Sequence, residues 1–203
     1  MTVVVAVVLG AVGALMARPL VRAFASAASA RWLTAVVGAA VSYVLVRSVD
    51  DVVVVVAHLV LAVALIALSD IDVRTRRLPR EVSYPAAVIG STLLVTNSVA
   101  RGHGDRAIDT LIGVAVFTLA MVVLHVIGRG ALGDGDVRMA PLLGAFLGFW
   151  SPRLVLVALL LGSLSAAVTG LVVIAVRRSG RSTTLPFGPF LALGTVVAIA
   201  LRG

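Results

Sequence analysis

Two aspartates stand where apolar stretches meet polar ones. Asp72 lies in Ser69-Asp70-Ile71-Asp72-Val73-Arg74-Thr75-Arg76-Arg77-Leu78-Pro79, where a long apolar run ends. Asp136 lies in Gly133-Asp134-Gly135-Asp136-Val137-Arg138, where another apolar run begins. A carboxylate at a membrane boundary is costly unless it has a partner or a task. A pair of carboxylates can hydrolyse a peptide bond without a metal or a nucleophilic side chain. The ionised one draws a proton from water, and the protonated one donates to the carbonyl oxygen or the leaving nitrogen. Close approach makes the two titrate apart, because two like charges do not both ionise cheaply.

The residues around each aspartate fit a built site. Gly133 and Gly135 bracket the second motif, open backbone angles closed to other residues and let a substrate backbone approach. Pro79 closes the first motif with a stiff turn. For Asp136 there is a competing reading, in which the carboxylate only caps free N–H groups at a helix start. The arginines of Arg74-Thr75-Arg76-Arg77 read most simply as membrane-boundary anchors, with an anionic lipid or a substrate flank as the alternative.

The elements that must position these motifs are membrane helices. Of 203 residues, 61% are hydrophobic and 13% charged, and the mean hydropathy is +1.15. Soluble domains run near half apolar, so the chain is read as an all-α, polytopic integral membrane protein forming one membrane-embedded domain over 1–203. A crossing takes about 20 apolar residues. Candidate crossings are 2–17, 33–46, 52–69, 82–99, 108–127, 139–150, 154–176 and 186–201, which makes about eight helices. The stretch 139–150 is the shortest, about 18 Å as a helix. The first run, from Thr2, lacks a preceding basic residue and a small-residue cleavage site, and is expected to stay as a membrane helix.

The net charge of +8 comes from 17 arginines and no lysine. They sit in short loops, which points to topology and anionic lipid, with no nucleic-acid partner expected. Arg18, Arg22, Arg31, Arg74, Arg76, Arg77, Arg80, Arg129, Arg138, Arg177, Arg178 and Arg181 fall on one side. Arg47, Arg101, Arg106, Arg153 and Arg202 fall on the other. Twelve against five assigns the first side to the cytoplasm. Asp72 and Asp136 then share the cytoplasmic face although 64 residues separate them. The absence of cysteine excludes disulfides, cysteine-bound zinc and thiol catalysis. His58, His103 and His125 form no HExxH-like pair, so no metal site is expected.

These motifs resemble those of the type IV prepilin peptidases. Asp72 followed by Leu78-Pro79 is similar to the family's first motif, and Gly133-Asp134-Gly135-Asp136-Val137-Arg138 to its GxGDxK motif. Leu185-Pro186-Phe187-Gly188-Pro189-Phe190-Leu191-Ala192 is similar to its PFGPFLA segment. The likeness runs over about residues 52–201. It implies a GxGD-type aspartic endopeptidase of the bacterial plasma membrane. Such an enzyme removes the basic leader of prepilins or pseudopilins at the cytoplasmic face, with no cofactor. Asp72 and Asp136 would be the catalytic pair, and Asp70 and Asp134 neighbours. Gly133, Gly135, Arg138, Pro79, Pro186, Gly188 and Pro189 would shape the site. Arg80 stands where many members carry Asp or Asn, and Arg138 replaces the usual lysine.

Bifunctional members add a cysteine-paired domain that methylates the new N-terminus. The stretch from Arg18 to Arg31 is too short for it, so the expectation is a peptidase-only short form, of the kind that often serves Tad/Flp pili. Rival readings are a proton- or cation-coupled transporter, a catalytically inactive pilus or secretion scaffold, and a presenilin-like protease. Transport would call for midplane carboxylates and internal duplication; neither is visible. The presenilin-like case would need YD and PAL motifs, which are missing. Asp50, Asp51, Asp105 and Asp109 read as solvated boundary residues, and His58 and His125 as packing or hydrogen-bonded helix residues. Trp32 and Trp150 read as interfacial anchors.

Overall fold

The computed structural model describes residues 2–24, 31–129, 133–177 and 186–202. Leu185, Arg178 and Arg181, and the side chains of Arg31, Trp32 and Arg177, lie outside the described residues. Nine helices are described: α1 (Thr2–Met16), α2 (Arg18–Phe24), α3 (Arg31–Val46), α4 (Val52–Thr75), α5 (Arg80–Ala100), α6 (Gly104–Ile127), α7 (Asp134–Trp150), α8 (Arg153–Arg177) and α9 (Gly188–Ala200). The all-α polytopic architecture is the one expected. Each of the eight anticipated runs is helical, and α2 is an addition that continues α1 past a turn at Ala17. Among the described residues, five spans are long and apolar enough to cross a membrane: Val3–Ala23, Val52–Thr75, Arg80–Ala100, Gly104–Ile127 and Arg153–Val176.

Several helices run further than hydropathy indicates, and the extensions of α4 and α7 carry the two acidic motifs. α4 continues through Asp70 and Asp72 to Thr75, because nothing in Ser69-Asp70-Ile71-Asp72 breaks a helix. It stops at Arg76, whose φ of 52° is left-handed and whose N–H donates to the Asp72 carbonyl at 2.8 Å. α7 starts at Asp134, five positions before its apolar run, so Asp136 falls in its first turn.

α4 and α7 form the centre. α4 is apolar around its circumference and packs against α1, α2, α3, α5, α7 and α9. α7 is buried almost continuously from Met139 to Phe149. At 17 residues it rises only about 25 Å. It can be this short because its neighbours enclose it. Glycines bring α6 and α7 into backbone contact: a Cβ on Gly113 would strike the Gly144 carbonyl, and one on Gly148 would strike the Asp109 carbonyl. Such close approach is how small residues hold membrane helices together.

The helices alternate in direction, so polar groups collect at two ends. One end carries both aspartate motifs. At the other, Asp51 caps α4 by accepting from the N–H groups of Val53 and Val54 at 2.9 and 3.4 Å. Its second oxygen accepts from Asn97 Nδ2 at 3.0 Å and pairs with Arg101 Nε at 2.7 Å. Asp51 is therefore a structural cap joining α4 to α5, a correction to its reading as a solvated residue. Burial pushes its carboxyl up, but the bonds from Asn97, Val53 and Val54 and the Arg101 charge outweigh this and hold it below its ordinary 3.8. A folded-state value below the unfolded one stabilises above the ordinary carboxylate range and is lost as pH falls through the folded value. We expect Asp51→Ala to lower stability in detergent by about 1–2 kcal/mol at neutral pH. The difference from the native chain should shrink below about pH 4, as followed by thermal unfolding.

Candidate active site

Asp72 lies in the last turn of α4 and is 5% exposed; Asp136 lies in the first turn of α7 and is 6% exposed. Their carboxyls are within Coulombic range of each other. Asp72 is held by a distant element: the Gly188 N–H at the start of α9 donates to Asp72 Oδ2 at 3.0 Å, a buried bond spanning 116 positions. The first N–H groups of a helix lack partners within it and carry the positive end of its dipole, which suits a carboxylate. Pro189, the second residue of α9, has no N–H to leave unsatisfied there.

Leu78 joins the three motifs. It is 4% exposed, in the turn between α4 and α5. A Cβ on Gly135 would lie 2.8 Å from Leu78 Cβ and 3.1 Å from its backbone nitrogen. A Cβ on Gly188 would lie 2.8 Å from Asp72 Oδ2 and 3.3 Å from Leu78 Cδ1. Gly135 is thus fixed by the close approach of the first motif, and Gly188 by the aspartate it binds. A Cβ on Gly133 would meet Asp136 Oδ2 at an ordinary 3.4 Å, so Gly133 serves as the N-cap of α7 without being sterically required.

The neighbouring acids are occupied elsewhere. Asp70 pairs with Arg74 one turn along α4 at 2.7 Å. Asp134 is 73% exposed and faces His125 Nε2 at 3.4 Å. Of the four acids in the two motifs, then, Asp72 and Asp136 are the ones buried together. Among the described residues no three His, Asp or Glu side chains converge as metal ligands.

Two cavities lie at the end of α4, and their linings take in Asp70 and Asp134 while Asp72 and Asp136 are buried behind them. A polar one of about 610 Å³ is lined by Arg76, Arg77, Arg80, Glu81, Asp134 and Arg138 among others. Arg76 is also within Coulombic range of Asp72. An apolar cavity of about 430 Å³ lies between α3, α4 and α9, lined by Leu65, Ser69, Asp70, Pro189, Ala192 and Val196 among others. Pro186 precedes Phe187, the N-cap of α9. The sequence reading assigned no role to Leu78. Its signal is its place in the Leu78-Pro79 pair of the first motif, an apolar residue among Arg76, Arg77 and Arg80.

Residues 59–171 match the Type IV leader peptidase family. The matched stretch contains Asp72 and Asp136 and ends before the segment around Gly188. The chain is 31% identical over 147 residues to a "Prepilin leader peptidase/N-methyltransferase" of Pectobacterium carotovorum subsp. carotovorum, covering 71% of this chain and 51% of that protein. It is 33% identical over 148 residues to the protein of the same name from Stutzerimonas stutzeri, with coverages of 70% and 48%. The Aeromonas hydrophila protein of that name is 32% identical over 144 residues, with coverages of 70% and 48%. The chain spans about half the length of the curated relatives it matches. No solved structure matches it.

Replacing the two contact glycines should be harmful for different reasons. For Gly135→Ala, overpacking against the Leu78 backbone costs about 1–3 kcal/mol and exceeds a helix gain of at most ~1 kcal/mol. Its unfolding temperature in detergent should fall, and by more than that of Gly133→Ala. For Gly188→Ala, the clash is with the Asp72 carboxyl itself. The fold should survive while the Asp72–Gly188 bond is displaced, which a structure of the variant would show.

Proposed function

The chain belongs to the Type IV leader peptidase family, and we propose that it is an aspartic endopeptidase that removes the leader from prepilins or pseudopilins, with Asp72 and Asp136 as its catalytic pair. One observation carries this reading. Two aspartates 64 positions apart are buried together at one end of the bundle, while the acids beside them face other partners.

In the proposed reaction one water lies between the two carboxyls. The Gly188 N–H stabilises the carboxylate form of Asp72, so Asp72 takes the proton of the attacking water. Asp136 donates its proton to the carbonyl oxygen of the scissile peptide as the tetrahedral intermediate forms. Collapse of the intermediate breaks the C–N bond. The proton held on Asp72 passes to the leaving nitrogen, and Asp136 recovers its own from the oxygen. Atoms and charges balance with water as the only co-reactant. Arg76, Arg77, Arg80 and Arg138 line the polar cavity beside the pair and would contact the substrate flank or lipid.

The arginine bias supports a cytoplasmic position for this end of the bundle, and lipid as the surroundings of the outer helices. Within the substrate class, Tad/Flp-type prepilins are the first to test. The methyl transfer in the relatives' printed names is not carried over, since the match covers about half of their length.

The test is co-expression with a prepilin encoded beside this chain, with leader removal followed by mass. Asp72→Asn and Asp136→Asn should each lower processing by about 10²–10⁴-fold or more. Asp70→Asn and Asp134→Asn should retain most of it. Full processing by either of the first two variants would refute the mechanism.

A further inference from the structure

The end of the bundle far from the aspartates holds a second polar cluster, built around the buried His58. Trp150 Nε1 donates to His58 Nε2 at 3.0 Å. An indole nitrogen only donates, so His58 Nε2 must be the unprotonated one. His58 Nδ1–H then donates to the Val54 carbonyl at 2.8 Å. The Arg202 guanidinium stacks on the Trp150 ring, 3.6 Å from its centroid, and donates to Ser48 Oγ at 2.8 Å. Arg47 donates to the Ala200 carbonyl at 2.9 Å, closing the end of α9. Phe146 meets the His58 ring edge-on at 5.2 Å.

The three helices joined here are the three that build the active site, with the same spacing on each. His58 precedes Asp72 by 14 positions on α4, Asp136 precedes Trp150 by 14 on α7, and Gly188 precedes Arg202 by 14 at α9 and its end. Fourteen residues rise about 21 Å and return to within about 40° of the same helix face. α4 and α7 therefore each present an aspartate at one end and a cluster member at the other, on nearly one face, and Arg202 joins the cluster from two residues past the end of α9. Sliding any one helix by a turn, about 5.4 Å, breaks both ends together.

We propose that His58, Trp150 and Arg202 are positioning residues, which fix the register of α4, α7 and α9 so that Asp72, Asp136 and the Gly188 N–H meet. The cluster touches no reacting atom and acts through the helices. The inference rests on the peptidase reading for its kinetic consequence, while its geometric consequence is independent of that reading.

The test compares Trp150→Phe, which loses the indole N–H, and Arg202→Ala, which loses the stacked cation, with Ile199→Ala. Ile199 is fully buried at the same end of α9 and outside the cluster. Per folded enzyme, the first two should lower kcat about ten- to hundredfold with KM within about twofold, the pattern of misplaced reacting groups. Ile199→Ala should lower the unfolding temperature and leave kcat unchanged. A second readout needs no activity. The chain has no cysteine, so cysteines at Ser69 and Ala192, which line one cavity between α4 and α9, report register by oxidative cross-linking. Trp150→Phe and Arg202→Ala should change the cross-linking rate, and Ile199→Ala should not. Unchanged cross-linking in both cluster variants overturns the register claim. Altered cross-linking with native kcat overturns the positioning role. Failure of the native chain to process any prepilin counts against the peptidase reading, and the cross-linking arm still decides the register claim.

Discussion

A single buried hydrogen bond organises the end of the bundle that carries the two acidic motifs. The Gly188 N–H reaches Asp72 Oδ2 at 3.0 Å across 116 positions of sequence. A carboxylate enclosed by apolar helices has lost its water, and an unpaired charge there is strongly unfavourable. Asp72 can stay in place because the start of another helix meets it with an N–H that would otherwise lack a partner. The same bond ties the start of α9 to the last turn of α4, and a Cβ at residue 188 would displace it. The turn carrying Leu78 then has one place to go, against Gly135 and Gly188.

The rest of the bundle serves this arrangement through close backbone approach. Gly113, Gly144 and Gly148 let α6 and α7 touch, and a Cβ on Gly194 would strike the Ala158 carbonyl, so α8 and α9 are as close. Contacts of this kind hold helices in lipid, where burial of apolar surface gives little drive to associate. They are also unforgiving of displacement. That suits a site whose groups come from three helices and must agree to a fraction of an ångström.

Much of the fold was legible. Hydropathy located eight of the nine described helices, and the arginine distribution alone places Asp72 and Asp136 at one end. It failed at helix ends, where polar residues continue a helix that hydropathy has already terminated. α4 runs on to Thr75 and α7 begins at Asp134 because backbone hydrogen bonding is indifferent to side-chain polarity. Asp51 was misread for a related reason: its partners Asn97 and Arg101 lie on another helix. Trp150 carried the composition of an interfacial anchor, and only packing shows its indole turned toward His58.

The sequence by itself determined the membrane-spanning all-α class, the two acidic motifs and the glycines and prolines around them, because hydropathy, charge and backbone freedom are local properties. Only the tertiary structure decided which acids are buried together, that Leu78 joins three motifs, and that α9 supplies the N–H that holds Asp72. These depend on distances between helices far apart in the chain. Such distances are set by which side chains are small enough to let backbones meet, and no spacing along one strand of sequence records them.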